Sequence, residues 1–221
     1  MDAWCDTELV YNPAVFRETR PEVLEAAMAK YPLATLVTIG SKGLDATHLP
    51  LLYRRAGAGR AFLRGHFSRA NSQWKDYTAA SEALAIFGGP QHYVTPGWYA
   101  STRENGKVVP TYNYVTVHVR GQLAFFEDAD WLRENVTALT ESQEASSESP
   151  WRVSDAPAEF IEMQLKGIVG VELAVSHIEG KWKLSQNRIA ADHEGVVHGL
   201  EKLDSEVARE MARIMKGEKS I

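Results

Sequence analysis

The amino-acid sequence predicts a small antiparallel β-barrel with peripheral helices, and three observations lead to that fold class. Short β-rich runs follow one another at close spacing, with the turn sequences SKG (41–43) and RRAGAGR (54–60) between them. Helical segments stand between and after these runs without strict alternation, which argues against a doubly wound parallel sheet. Of the 221 residues, 44% are hydrophobic and 24% are charged, so the chain has enough apolar side chains to fill a barrel core.

Six runs are predicted as strands, because they are rich in β-branched and aromatic residues or alternate between apolar and polar residues. They are LATLVTIG (33–40), LDATHLPLLY (44–53), RAFLRGHF (60–67), ALAIFGG (83–89), VVPTYNYVTVHVRGQLAFFED (108–128) and GIVGVELAVSHIEGKWKLS (167–185). The last run is predicted to be a hairpin that turns at Glu179-Gly180.

The first helix is predicted over 20–32, where apolar residues recur at helical spacing and prolines stand near both ends. Its apolar face consists of Leu24, Ala27, Met28 and Tyr31. Later helices are predicted over 130–140, over 158–165 and near the C-terminus, where the apolar stripe is Leu203, Val207, Met211 and Ile214. The polar segment TESQEASSESPW (140–151) is predicted as an exposed loop. We therefore expect a single domain, 1–221, with a C-terminal helical segment over about 190–221.

Composition and charge narrow the function classes. The net charge of −5 gives no overall basic field, so direct nucleic-acid binding is doubtful. The single cysteine, Cys5, excludes an internal disulfide and a zinc site made of several thiolates. The N-terminal residues have no signal-peptide pattern, and no apolar run approaches the roughly 20 residues that cross a bilayer. We expect a cytoplasmic protein without a membrane segment.

The segment LRGHFSRANSQWK (63–75) places many hydrogen-bond donors where a strand is predicted to lead into a helix. Ser68 is predicted to cap that helix, which would leave the first backbone N–H groups free to meet an anion. Arg69 can add a bidentate guanidinium suited to a phosphate, and His66 and Asn71 offer further donors. The alternative is a capped helix with a solvated arginine. Spacing alone gives the two interpretations equal weight.

Two segments combine aromatic residues with prolines, namely GPQHYVTPGWY (89–99) and VVPTYNY (108–114). Rigid aromatic loops can stack on a planar ligand, but an aromatic core or a dimer interface suits these residues as well. The aromatic content exceeds what one small barrel core explains, which predicts a homodimer; the residues concerned are Tyr93, Trp98, Tyr99, Tyr112 and Tyr114.

A third polar segment, KWKLSQN (181–187), follows a predicted strand. It supplies polar side chains for a ligand, but a polar strand end with Trp182 packed inward is the commoner arrangement. Other chemistries have little support. The seven histidines show no metal-binding spacing, the nearest approach being His193 and His198, so no metal site is predicted. No nucleophile elbow is present, and no catalytic acid or base can be named.

Taken together, five segments resemble the PaiB family, the FMN-binding negative transcriptional regulators. The segments are THLPLLY, GHFSRANSQW, GPQHYVTPGWY, VVPTYNYVTVHVRG and KWKLSQNR, and they cover most of the chain from Thr47 to Leu200. VPTYNY and KLSQN are the most specific of these words. This chain departs from the common family pattern at Ser72, where a proline is usual, and at Gly97, where a serine is usual.

The resemblance implies an α+β, mainly β fold, an antiparallel split β-barrel with peripheral helices, that binds FMN at the interface of a homodimer. It also implies relatedness to pyridoxamine phosphate oxidases and flavin reductases. In that wider superfamily a Ser-Arg pair and a following Gln lie near the flavin, a pattern that Ser68, Arg69 and Gln73 fit. The residues expected at FMN are His48, Leu49, His66, Ser68, Arg69, Asn71, Gln73, Tyr112, Asn113, Lys183, Ser185 and Gln186.

Three functions are open on the sequence. The first is an FMN-binding protein that acts as a flavin-dependent regulator or a weak oxidoreductase, the flavin supplying the redox chemistry. The second is a transcriptional regulator that acts on DNA or through a partner without redox chemistry. The third is a haem-binding or haem-degrading split barrel, with one of the histidines as axial ligand.

Overall fold

The computed structural model describes residues 10–57 and 59–218, so Cys5 lies outside the described residues. The chain forms two compact units. Within the described residues, unit 1 consists of 10–30, 88–117 and 179–218, and unit 2 consists of 31–57, 59–87 and 118–178.

The described strands are β1 (Arg17–Glu18), β2 (Leu33–Gly40), β3 (Gly43–Pro50), β4 (Leu52–Arg55), β5 (Ala61–Ser68), β6 (Ala83–Val94), β7 (Thr111–Phe126) and β8 (Ile168–Lys183). They form one eight-stranded sheet in the order β3-β2-β6-β7-β8-β5-β4, and β1 pairs with β8. Every pairing for which a register is defined is antiparallel. The predicted antiparallel sheet is confirmed.

The described helices are α1 (Pro21–Lys30), α2 (Gln73–Asp76), α3 (Ser101–Glu104), α4 (Ala129–Glu144), α5 (Ala158–Leu165), α6 (Ala190–Glu201) and α7 (Glu206–Met215). Three short 3-10 turns, Ala14–Phe16, Pro96–Trp98 and Val153–Asp155, complete the set. None of the helices in the described part of the chain is long and apolar enough to cross a membrane.

In unit 2, alternate residues of β2 and β5 point into the core, as the period of a strand requires. Leu36 and Leu63 are fully buried. The helix α4 lies beside β5, where the Asn135 side chain donates to the Gly65 carbonyl at 3.1 Å. A side chain at Gly170 would meet the Trp131 ring at 2.1 Å, so only glycine allows that indole to lie on β8.

In unit 1, α6 packs closely on the 3-10 turn Pro96–Trp98 through its glycines. A Cβ at Gly199 would lie 2.3 Å from the Trp98 ring, and one at Gly195 would lie 2.0 Å from the Trp98 carbonyl oxygen. The Tyr99 side chain is buried beside this turn. The buried hydrophobic residues of the unit include Val94, Tyr99, Val115, Val117, Leu184, Val196, Leu200 and Met211.

The predicted hairpin at Glu179-Gly180 is wrong, because β8 runs without interruption through both residues. Gly180 is not among the glycines with positive φ and pairs in register with Glu18 of β1. A Cβ at this position would lie 2.3 Å from a Leu24 methyl group and 2.8 Å from the Trp182 ring. Gly180 therefore serves close packing within unit 1 and not a turn.

Three smaller differences concern two element boundaries and one buried face. The run 44–53 forms two strands, because the chain changes partner at Leu51: β3 pairs with β2, and β4 pairs with β5. The helix α4 continues to Glu144, so the first residues of the predicted loop 140–151 are helical. Val207 is 47% exposed, and the buried face of α7 consists of Ala208, Met211, Ala212, Ile214 and Met215.

Candidate functional site

Seven of the expected FMN residues belong to unit 2, on β3, on β5, in the turn that follows β5 and at the start of α2. His48 is exposed and Leu49 is buried, since neighbouring residues of a strand point to opposite faces. Leu49 therefore contributes to the core, and of this pair only His48 presents its side chain to the outside.

Ser68 does not cap a helix, which corrects the prediction from the sequence. It is the last residue of β5 and pairs in register with Ile168, and its hydroxyl oxygen accepts from Ala70 N at 3.3 Å. The following helix, α2, begins only at Gln73, and its N-cap, Ser72, makes no side-chain capping bond. The prediction failed because residues 69–72 form a turn, in which Arg69 N donates to Gly167 O at 2.8 Å.

The guanidinium of Arg69 is engaged by unit 2 itself. Its Nε donates to the Lys166 carbonyl at 2.8 Å, and Nη2 donates to the Ile168 carbonyl at 3.1 Å. Nη1 forms a salt bridge with Glu127. A phosphate would therefore have to replace the Glu127 carboxylate at this guanidinium.

Asn71 and Gln73 fix the turn against β2 and β3. Asn71 donates from Nδ2 to Thr47 Oγ1 at 2.8 Å and accepts from Gln73 N at 2.9 Å. Gln73 is 1% exposed, and its Nε2 lies 3.1 Å from Leu36 O and 3.0 Å from Thr38 Oγ1. Its Oε1 has no hydrogen-bond partner among the described residues. The Gln73 amide thus shapes the turn and is not presented at a surface.

His66 lies half-buried on β5, and its Nδ1 has no hydrogen-bond partner in the described part of unit 2. Burial lowers the pKa of His66 below its usual value, because a charged imidazolium is poorly solvated there. The neutral ring can donate from one nitrogen and accept at the other.

This shift predicts an acid-side loss of stability. An unfolded chain titrates its histidines near about 6.5. As the pH falls below that value toward the lowered folded pKa, the unfolded chain binds a proton at this histidine and the folded chain does not. The free energy of unfolding is therefore highest above the unfolded pKa and declines below it. Urea unfolding of wild type and His66→Gln at about pH 7.5 and about pH 5.5 should show a smaller acid-side loss in the variant. An identical loss in both proteins would contradict this role.

The other five expected residues belong to unit 1. Asn113 is fully buried, and Ser185 Oγ donates to Asn113 Oδ1 at 3.0 Å, while Asn113 Nδ2 lies 3.4 Å from the Met215 sulfur. Among the described residues Ser185 alone, apart from glycines, has a positive φ, 65°. The turn after it is closed by Gln186, whose Oε1 accepts from Leu184 N at 2.7 Å.

Lys183 and Tyr112 lie on neighbouring segments of the same unit. Lys183 Nζ donates to the Thr111 hydroxyl and to the Tyr112 carbonyl. The Tyr112 ring is 55% exposed and meets the Tyr93 ring edge-on, with ring centres 5.7 Å apart. Trp182 is buried, which is the inward packing expected at a polar strand end. The segments VPTYNY and KLSQN, which are distant in sequence, are therefore in contact in unit 1.

Two neighbouring cations were not among the expected residues. Lys181 donates to the Tyr11 carbonyl at 2.8 Å and lies 5.7 Å from the Tyr114 ring centre. The Arg188 guanidinium lies 4.7 Å from the ring centre of Tyr99. Both belong to the segment KWKLSQNR, but the sequence alone does not show which cations form a salt bridge in the folded chain.

Two further observations on the described residues concern metal binding and a cavity. No three of the described His, Cys, Asp and Glu residues are placed to hold a metal ion. A depression of about 410 Å³ is bordered by α4 and α5 in unit 2, and none of the expected FMN residues lines it.

Comparison with known proteins identifies the family of the chain. The profile of the family described as "Putative FMN-binding domain" matches residues 10–177. The chain is 33% identical, over 207 residues, to the protease synthase and sporulation protein PAI 2 of Bacillus subtilis (strain 168). That alignment covers 94% of this chain and 97% of the relative.

Two solved structures share the fold. The flavocytochrome Anf3 from Azotobacter vinelandii superposes with a TM-score of 0.57 at 15% identity, over 78% of this chain and 72% of that one. The FAD and haem binding protein from Mycobacterium smegmatis gives a TM-score of 0.56 at 16% identity, over 83% and 80% of the two chains. The predicted split-barrel fold is confirmed. Since the matched family covers most of the sequence and the bacterial relative aligns along nearly all of it, the chain belongs to the PaiB family of proteins with an FMN-binding domain.

Proposed function

We propose that this protein binds FMN and acts as a flavin-dependent regulator or a weak oxidoreductase. The observation that carries the proposal is the buried hydrogen bond between Ser185 and Asn113. The bond joins VPTYNY and KLSQN, the two segments most specific for the family, and holds Ser185 in a left-handed conformation. A non-glycine residue in that conformation costs on the order of 1–3 kcal/mol and is typical of ligand sites.

The residues of unit 1 fit the chemistry of a flavin nucleotide. FMN carries a planar aromatic ring and a phosphate. The exposed face of Tyr112 suits a ring, and the Lys183 ammonium suits an oxygen that carries negative charge. Gln186 adds an exposed amide beside them, and Ser185, whose buried hydroxyl donates to Asn113, supports the turn.

The residues of unit 2 fit as a set of donors around one turn. We propose that Arg69 binds the phosphate after exchanging the Glu127 carboxylate for it, a replacement of one anion by another. His66 contributes a neutral ring nitrogen, Asn71 orients the turn, and Gln73 supports it from beneath.

Bound FMN would supply hydride and electron transfer. The chain's own contribution is to hold and orient the nucleotide and to set the charge around it. No catalytic acid or base is proposed.

An absorption spectrum of the purified protein, before and after incubation with FMN and gel filtration, tests the proposal. We expect the flavin bands to elute with the protein. A protein that stays colourless after incubation with FMN would contradict it.

Haem binding is a second candidate, because the Nδ1 of the half-buried His66 has no hydrogen-bond partner among the described residues and the lowered pKa keeps the ring neutral at neutral pH. Absorption spectra recorded with FMN and with haemin distinguish flavin binding from haem binding. A Soret band that appears on adding haemin to wild type and is lost in His66→Gln would favour haem. Unchanged haemin spectra would leave flavin as the ligand.

We also propose a homodimer, supported by the exposed rings of Tyr93 and Tyr112, which are 44% and 55% exposed. Light scattering at micromolar concentration should give twice the mass of the chain, and a monomer would contradict it. A regulatory role would then act through a partner, since the net charge of −5 disfavours direct DNA contact.

A further inference from the structure

Three cations of unit 1 lie close together: Lys181, Lys183 and Arg188. Lys181 and Lys183 stand two residues apart on β8, so their side chains lie on the same face of the strand. Lys181 and Arg188 both act electrostatically on Lys183. Within residues 10–57 and 59–218 no carboxylate forms a salt bridge with any of the three. The chain has 29 acidic and 24 basic residues, so acidic side chains were available for pairing.

The partners that these cations do have are neutral. Lys183 uses two of its three N–H groups, on the Thr111 hydroxyl and the Tyr112 carbonyl. Lys181 donates to the Tyr11 carbonyl. These neutral partners fix the positions of the ammonium groups without neutralising their charge.

Aromatic faces surround the same group. The Arg188 guanidinium lies over Tyr99, and Lys181 lies near the rings of Tyr11 and Tyr114. Such contacts hold a cation in place without neutralising it. Burial, together with the two neighbouring cations, lowers the pKa of Lys183, so the free protein holds this ammonium at a cost that an anion would remove.

We propose that Lys181, Lys183 and Arg188 form an anion site that binds a phosphate group beside the exposed Tyr112 ring. The inference rests on the proposed function and extends it. If Arg69 binds the FMN phosphate, the phosphate bound here is that of a second ligand, such as a phosphorylated substrate or electron donor; if Arg69 does not, it is the FMN phosphate. The recognition chemistry is the same in both cases.

The test uses the full-length protein in three forms: wild type, Lys183→Gln, and the control Lys202→Gln, which removes an exposed lysine of the same unit. Each protein is titrated with FMN, with riboflavin and, in the FMN-loaded state, with inorganic pyrophosphate. Thermal unfolding confirms that each variant is folded, and Lys183→Arg should retain binding because it keeps the charge.

If the site takes the FMN phosphate, Lys183→Gln weakens FMN on the order of tenfold or more and leaves riboflavin nearly unchanged. If it takes a second ligand, flavin affinity is unchanged, and pyrophosphate binding to the loaded protein is lost in Lys183→Gln but not in Lys202→Gln. Equal affinity of wild type and Lys183→Gln for all three ligands would overturn the inference.

Failure of the flavin proposal gives a different result. Wild type would then bind neither FMN nor riboflavin, while pyrophosphate binding to the unloaded protein would still depend on Lys183. That outcome keeps the anion site and rejects FMN as its ligand.

Discussion

Arg69→Ala is expected to weaken FMN binding by about ten- to a hundredfold while leaving riboflavin binding nearly unchanged. Charge-assisted hydrogen bonds contribute about 1.5–3 kcal/mol, and riboflavin has no phosphate to lose them. Fluorescence titration of both ligands against both proteins measures the difference. Equal FMN affinity of wild type and variant would mean that Arg69 only holds the turn.

The salt bridge between Arg69 and Glu127 leads to a second prediction about the same guanidinium. Arg69 is paired with Glu127, so Glu127→Gln should free the guanidinium and tighten FMN binding severalfold. The stability cost should be small, since Glu127 is 57% exposed and such ion pairs contribute about 0–1 kcal/mol. Arg133→Ala is the matched control, because it breaks a similar exposed ion pair with Glu162 in the same unit. The control should leave FMN binding unchanged.

Arg69→Ala should also reduce stability, by about 1 kcal/mol for each lost bond to the Lys166 and Ile168 carbonyls. Ser68→Ala should cost less than the roughly 1 kcal/mol of a helix cap, because Ser68 does not cap a helix. Chemical denaturation in the absence of flavin checks both values.

Asn113→Ala is expected to lower the free energy of unfolding by about 1–3 kcal/mol and to weaken FMN on the order of tenfold. The amide is fully buried, and its loss leaves the Ser185 hydroxyl without its partner. Without that bond Ser185 loses the side-chain contact that favours its left-handed conformation, so the turn that carries Gln186 can relax.

Asn187→Ala is the control for this change, since Asn187 is exposed in the same turn. A double-mutant cycle with Ser185→Ala isolates the bond: the two single changes should cost more in sum than the double change. Additive costs, or FMN affinity that is unaffected in Asn113→Ala, would show that the bond does not support a ligand site.

Local sequence patterns predicted the regular elements well. The helix 158–165 and the strand 33–40 have the bounds expected from apolar spacing and turn residues. The failures arose where tertiary packing decides. Gly180 has the sequence of a turn, but its missing side chain makes room for Leu24 and Trp182. The stripe through Val207 missed the small buried residues Ala208 and Ala212.

The candidate site was predicted less completely. The family words located Asn113 and Ser185, but the sequence could not show that they bond to each other or that Ser185 is left-handed. Lys181 and Arg188 were missed because only the folded chain shows that no carboxylate among the described residues forms a salt bridge with them.

Equilibrium titration of FMN into the purified full-length protein, followed by quenching of flavin fluorescence, measures whether the protein binds FMN. We predict saturable binding with one FMN for each chain, weaker binding by Asn113→Ala, and no such weakening in Asn187→Ala. Fluorescence that falls only in proportion to dilution, with no saturation in wild type, would contradict it.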